Sequence, residues 1–255
     1  MIPSIVFIVP FRSRESEQAQ YISTMTPIIQ QLNAEIYFAH QCDNRPFNRG
    51  AMRNIGFLAI KEKYPADYAN ITLVFNDVDT YPNQPGYIPN YATEKGTVKH
   101  FYGFTYTLGG IFSINASDFE LVGGYPNFWA WGYEDNTLNN RCIQHQITIN
   151  RSDFVNVLNP QPNDDRIVNL KGTPLRELNY GEFQRYKKGQ LNTEGLQDIR
   201  DLVYDIQQMQ TSQNIFMVNI SNFTVSTQPQ KNIKCDLRRG NPFKKIPTMK
   251  MAFYR

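Results

Sequence analysis

At 255 residues the chain is long enough for one large core, or for a core domain with an appendage. An apolar share of 41% excludes global disorder, and a formal charge of only +3 excludes wholesale nucleic-acid binding as the default role. Eight basic residues and one acid fall between 231 and 255, which sets a basic C-terminal extension apart from a mildly acidic body at 1–230. Such a tail suits contact with phosphate or another acidic surface, and equally suits plain solvation.

Residues 4–9 are a continuous apolar run stopped by Pro10, the pattern of a buried first strand. The run is too short for a membrane span and lacks the basic leader of a signal peptide. Residues 15–32 predict a helix and 34–39 a second strand. Residues 48–63 predict another helix, with Met52, Ile55, Leu58 and Ala59 on one face, and 71–75 a third strand. This alternation argues for an α/β domain with a largely parallel sheet, whose ligands bind at the carboxyl ends of the strands. Further on, apolar segments at 103–108 and 111–114 flank Gly109-Gly110, and 118–123 reads as a short helix ended by glycine. The polar stretch 160–174 carries three prolines and reads as a loop. Residues 194–209 read as an amphipathic helix, with Leu196, Ile199, Leu202, Val203 and Ile206 on its packed face. Cys42, Cys142 and Cys235 are an odd set without zinc spacing, so the sequence implies neither a disulfide framework nor a zinc site. A reducing, cytoplasmic setting is the simplest reading.

Three clusters carry chemistry. Asn76-Asp77-Val78-Asp79 follows the third strand directly, which points two carboxylates into the crevice of an α/β sheet. Carboxylates are hard donors suited to Mn²⁺ or Mg²⁺, and such a cation bridges phosphates; Asp pairs also occur in ordinary turns. Trp129-Ala130-Trp131-Gly132-Tyr133-Glu134-Asp135 holds both tryptophans beside two acids. Tryptophan faces pack on the apolar faces of sugars and carboxylates take protons, while the competing reading puts the rings in the core and the acids at a helix N-terminus. Pro10-Phe11-Arg12-Ser13-Arg14 follows the first strand, and Phe47-Asn48-Arg49 opens the second helix. An aromatic beside a base and arginines on phosphate would make both segments nucleotide-binding; arginines at strand ends are also often only solvated.

The succession IVPFRSR, FNRGAMRNIGF, FNDVDTYP and LGGIFSINASDFELVGGYPNFWAWGYEDNTLNNR resembles the β-1,4-galactosyltransferase family, the family 7 glycosyltransferases. The likeness runs from about residue 5 to residue 141 and returns faintly at 194–221. It implies a GT-A fold, a Rossmann-like α/β domain over 1–230 with a central, mostly parallel mixed sheet flanked by helices. It also implies an inverting transfer that uses Mn²⁺ and a UDP-sugar. Carried over position by position, Pro10, Phe11, Arg12 and Arg14 lie along the uridine diphosphate, with Phe47 and Arg49 close by. Asp77 and Val78 contact the nucleotide sugar, Asp79 ligates the metal, and Trp131 sits at the donor phosphates. Glu134 holds sugar hydroxyls beside Trp129, Tyr133, Gly109 and Gly110, and Asp135 takes the proton of the attacking hydroxyl.

The sequence departs from the family in places. The family's metal-binding histidine and the methionine three residues before it are absent downstream of the Trp box. Counting without gaps puts Gln161 and Asp164 at those positions, so an all-oxygen Asp79–Asp164 site is expected, with Mg²⁺ accepted beside Mn²⁺; Asn163 or Asp165 are the alternatives across a Pro-rich loop. Asn136 replaces the family's second acid. Thr107 stands where a bulky tyrosine excludes an N-acetyl group, which makes UDP-GalNAc a donor candidate beside UDP-Gal. The membrane anchor and stem of the family's animal members do not occur in this sequence, which fits either a trimmed chain or a small soluble form; a strand directly after Met1 favours the second, a cytoplasmic protein of a virus or microbe. The expected partners are a nucleotide sugar and a carbohydrate acceptor, with no nucleic acid and no transmembrane segment. Two rivals stand beside the active transferase: a sugar- or nucleotide-binding protein that has lost catalysis, and a nucleotidyltransferase or phosphatase built on the Asp pair, in which the Trp box has no role.

Overall fold

A computed structural model describes residues 2–83, 86–159, 161–170, 175–189, 194–236 and 239. Along the chain, β1 (Ile5–Phe11), α1 (Glu15–Leu32), β2 (Ala34–Gln41), α2 (Arg49–Lys63) and β3 (Thr72–Asn76) form the expected alternation. There follow β4 (Thr80–Pro82), β5 (Thr97–Gly103), β6 (Ile111–Asn115), α3 (Ala116–Leu121), α4 (Glu134–Gln144), β7 (Thr148–Asn150) and β8 (Val155–Asn156). The last elements are β9 (Ile167–Asn169), β10 (Leu175–Leu178), α5 (Tyr180–Lys188), β11 (Arg200–Gln208), β12 (Ile215–Thr224) and β13 (Ile233–Asp236).

The main sheet runs β11-β12-β2-β1-β3-β6-β5-β7, with β8 beside β5. β12, β2, β1 and β3 are parallel, while β6 and β11 run against their neighbours. Every residue of β1 is buried, as a central strand covered on both faces requires. Its side chains alternate between two cores: Val6 and Ile8 pack on the α2 side, and Phe7, Val9 and Phe11 on the α1 side. The chain passes from β1 to β2 on one side and then to β3 on the other. The strand order therefore reverses at β1, and the crevice opens there at the strands' carboxyl ends.

The start of α2 is fixed locally. Asn48 caps it, its side-chain oxygen accepting from the Ala51 amide at 2.9 Å. The helix sits so close to the segment before α4 that a Cβ at Gly50 would lie 2.1 Å from the Pro126 carbonyl oxygen. Only glycine permits that approach, and the approach sets the arginines of α2 opposite the acids of α4.

Two sequence expectations differ from the structure. Residues 194–209 are not a helix: a short 3-10 turn at Leu196–Asp198 leads into β11, an edge strand antiparallel to β12. The period that matters is two. Leu202, Tyr204 and Ile206 face the core while Val203 and Asp205 face out, and the helical match arose because Val203 happened to fall in register. Within the loop expected at 160–174, β9 forms a ladder with β4. Of the basic extension at 231–255, the described part forms β13, which pairs with β10; residues 240–255 lie outside the described residues. Among the described residues no helix is long and apolar enough to cross a membrane, and the three cysteines are free.

Candidate active site

The turns after β1 and β3, the start of α2, the Trp box and the β10 strand enclose an open crevice of about 460 Å³. Arg12, Arg14 and Arg49 line it together with Asp77, Asp79 and Trp131. Arg12 lies over the Phe47 ring at 5.0 Å and donates to the Arg45 carbonyl at 2.6 Å, which fixes its guanidinium in the wall. Phe47 also faces the crevice, whereas Phe11 is buried beneath it, edge-on to Phe38 and His40.

On the floor, three acids meet two arginines. Arg49 Nη2 donates to both Asp77 oxygens at 2.9 Å, and its Nη1 reaches Glu134 at 3.2 Å. Arg53, one helical turn further, donates to Asp77 Oδ1 at 2.9 Å and to Asp135 Oδ1 at 2.6 Å. Arg53 has no exposed surface, and Arg49 is 17% exposed at the crevice. Burial, then the neighbouring Asp135 charge, pushes the Glu134 carboxyl up to about 7, against the pull of the two arginines. Because that value exceeds the unfolded one, the contribution of Glu134 to stability is present in acid and is lost as pH rises through about 7. Glu134→Gln, which cannot ionise, therefore gains stability over the native protein between pH 5 and pH 8, by on the order of 2 kcal/mol. Thermal melts of both proteins at the two pH values check this, and a pH-independent difference refutes it.

The glycine pair supports the same floor. A Cβ at Gly109 would sit 2.4 Å from Asp135 Oδ2, so the missing side chain leaves room for that oxygen. Gly110 has φ 74° and accepts from the Asp77 amide at 3.3 Å. Beneath the pair, buried His100 is held down to about 4 by desolvation and is neutral. Arg151 Nε donates to its Nδ1, which leaves Nε2–H to donate to the Gly109 carbonyl at 2.9 Å. Thr107 is buried next to this pair, its hydroxyl on the Phe104 carbonyl at 3.4 Å.

The Trp box divides. Trp129 belongs to the core, 1% exposed, stacked on Phe223 with Arg45 across its ring. Trp131 is 39% exposed at the crevice, with the Arg176 guanidinium 5.5 Å from its ring centre. Tyr133 stacks on Tyr186 of α5 at 4.7 Å. The β10 strand supplies Arg176 and Glu177 to the opposite wall, and Asn232 joins them, its amide bonded to the Trp129 carbonyl at 2.8 Å.

Asp79 stands apart from the charged floor. Burial and then the Asp77 charge raise its carboxyl above the usual range, with Arg14 and Arg49 opposing. Its side chain accepts from the Thr80 hydroxyl at 3.2 Å. The β4–β9 ladder pairs Thr80 with Asn169, and the Asp79 carbonyl accepts from the Leu170 amide at 2.8 Å, so an aliphatic residue lies across from Asp79. The structure does not bring Asp164 there. That carboxylate is held by Arg166 at 2.8 and 2.9 Å, beyond the Asn83 end of the ladder. Among the described residues no three His, Cys, Asp or Glu side chains converge on a metal position. The residues present fit a hard cation held by one protein carboxylate and completed by phosphate oxygens and water; they do not fit a cage made by protein alone.

Of the residues expected from sequence, the structure gathers Pro10, Arg12, Arg14, Phe47, Arg49, Asp77, Val78, Asp79 and Trp131 at one crevice. Asp135 and Glu134 lie at its floor through Arg49. Sequence reasoning missed Arg53, although its position four residues after Arg49 on a helix puts both on one face. It also missed Arg176, Glu177 and Asn232, which carried no local signal.

Comparison with known proteins agrees with this geometry. A family model described as the N-terminal region of glycosyl transferase group 7 matches residues 2–88, and one described as the N-terminal domain of galactosyltransferase matches residues 95–160. Mouse β-1,4-galactosyltransferase 1 is 28% identical over 222 residues, covering 80% of this chain and 51% of that protein. The bovine protein of the same name is 31% identical over 219 residues, covering 71% and 52%. The chain thus spans about half the length of the curated relatives it matches. A mutant Drosophila β-1,4-galactosyltransferase 7, solved with manganese, UDP-Gal and xylobiose, superposes with a TM-score of 0.63 at 18% identity, covering 93% of this chain and 97% of that one. The catalytic domain of that Drosophila enzyme with xylobiose gives 0.58 at 19% identity. These likenesses establish the GT-A fold.

Proposed function

Because this chain belongs to the group 7 glycosyl transferases, we propose that it is an inverting glycosyltransferase moving galactose or N-acetylgalactosamine from a UDP-sugar to a sugar hydroxyl. The observation that carries this reading is the joint placement of a cationic wall and a carboxylate floor in one crevice at the β1–β3 switch point. Arg12 and Arg14 offer charge to a diphosphate, and Phe47 an aromatic face to its base. Asp77 and Val78 stand at the nucleotide sugar. Asp79 would hold a divalent cation, Mn²⁺ or Mg²⁺, which supplies charge stabilisation to the departing diphosphate.

Asp135 is the base. An alcohol has too high a pKa to ionise first, so the carboxylate acts by taking the proton as the new bond forms. Glu134 holds sugar hydroxyls near it, and Trp131 closes over the donor beside Arg176. Attack from the Asp135 side and departure toward the arginine wall put nucleophile and leaving group on opposite faces of the donor sugar, the requirement for inversion. The small side chain of Thr107 supports N-acetylgalactosamine as a donor beside galactose.

The aliphatic residue across from Asp79 favours a second reading, a nucleotide- or sugar-binding protein with impaired catalysis. One experiment separates the two. UDP release is followed with a panel of UDP-sugars and monosaccharide acceptors, with and without Mn²⁺ or Mg²⁺. Acceptor-stimulated, cation-dependent release from UDP-Gal or UDP-GalNAc supports the transferase. UDP binding without turnover on any pair overturns it in favour of the binding protein.

A further inference from the structure

We propose that Arg53 is a positioning residue: it pins Oδ1 of Asp135 from below the crevice and so leaves Oδ2 as the oxygen that accepts the acceptor's proton. The inference rests on the transferase reading above, and concerns a side chain that no part of that reading uses.

Arg53 is wholly buried, and a buried guanidinium is costly unless its charge is met by well-placed partners. Its fork spans two acids, Nη1 on Asp135 Oδ1 at 2.6 Å and Nη2 on Asp77 Oδ1 at 2.9 Å. Beneath it lies the Tyr125 ring, with the guanidinium carbon 4.7 Å from the ring centre. Among the described residues its Nε has no hydrogen-bond partner, so the hydrogen bonds of the side chain go to these two carboxylates. A planar fork sets both the distance and the rotation of the groups it joins, which a lysine's point charge does not.

The two arginines of α2 are not equivalent. Arg49 lines the crevice and touches all three acids, so it is the cation that an incoming diphosphate recruits. Its bond to Asp135 Oδ2 is already long, at 3.4 Å. Arg53 does not reach the crevice, and substrate charge leaves its grip on Asp135 intact. With Oδ1 held by Arg53 and the long Arg49 contact given up to the diphosphate, Oδ2 is the oxygen that becomes free, and it is the one beside Gly109, where a side chain would collide with it. The helix, the glycine and the arginine thus act on a single carboxylate rotation. Charge balance alone does not account for this: another cation anywhere on the floor would offset three acids, but only a fork on Oδ1 selects Oδ2.

The test is a double-mutant cycle with Arg53→Met and Asp135→Asn, read as kcat and as KM for the UDP-sugar, with UDP affinity measured alongside. If Arg53 works through Asp135, Arg53→Met lowers kcat by about 10²-fold, the scale of a base displaced by an ångström, with little change in KM. In the Asp135→Asn background the same change then costs almost nothing. An equal loss in both backgrounds, or an unchanged kcat in Arg53→Met, overturns the proposal. Arg53→Lys guards against a folding defect: it keeps the buried charge, and retained UDP affinity with a reduced kcat supports the fork. Full kcat in Arg53→Lys sinks it. A native protein that shows no transfer refutes the transferase reading itself, an outcome distinct from these.

Discussion

Asp135→Asn lowers sugar transfer by about 10²–10⁴-fold, the range a positioned general base contributes, and leaves UDP affinity close to that of the native protein. The substitution is nearly isosteric, so the floor survives it. The amide oxygen accepts from Arg53 where Asp135 Oδ1 does now, which turns the amide nitrogen toward Gly109. That position then donates a proton where one must be accepted. The remaining acids still meet Arg49, which loses only its long contact to Asp135, and Arg12 and Arg14 are held by other partners. The measurement is turnover beside UDP titration; transfer at the native rate with binding intact removes Asp135 from the mechanism.

Asp79→Ala abolishes the cation dependence of UDP binding. It weakens binding in the presence of Mn²⁺ by about 10²-fold or more, matching the several kcal/mol a cation supplies to phosphate charge. The size follows from the donor set: with Leu170 across the ladder and Asp77 bound by two arginines, Asp79 is the carboxylate at this position not held by a cation. The native protein alone should show little Mn²⁺ affinity, because phosphate oxygens supply the other ligands. Calorimetric titration of Mn²⁺ with and without UDP decides this, and a metal dependence that persists in Asp79→Ala refutes it. Asp164→Ala is the companion variant; its carboxylate serves Arg166, so the titrations should match those of the native protein.

Much of the fold was legible because β1 is buried along its whole length and β2 and β3 carry apolar centres, Ile36–Ala39 and Leu73–Phe75, that are buried on both faces. The crevice followed, since a strand that ends in Pro10-Phe11-Arg12 or Asn76-Asp77 leaves little choice of where its next residues go. What failed was long-range. β11 is half-buried at a sheet edge, and its alternation was masked by Val203, an apolar residue facing solvent. The place of Asp164 was misjudged by counting along a chain that folds back as β9, so that spacing in sequence no longer measured distance from Asp79. Arg53 stood in a quoted motif yet was passed over, because a buried arginine announces itself only through partners distant in sequence, here Asp77 and Asp135.

The pairing of β12 with β2 has a consequence for biosynthesis. β2 leaves the ribosome directly after β1 and α1 and finds β1 at once, but its other edge is paired in parallel by Ile215–Ile220, translated much later. Until that segment has been translated, an apolar strand presents an open row of amides and carbonyls, a template for pairing with another nascent chain. Sheets closed by contacts this distant in sequence form slowly. The vulnerable period of this protein is therefore its synthesis, and its yield in a cell should depend more on temperature and chaperone supply than on the finished molecule's stability.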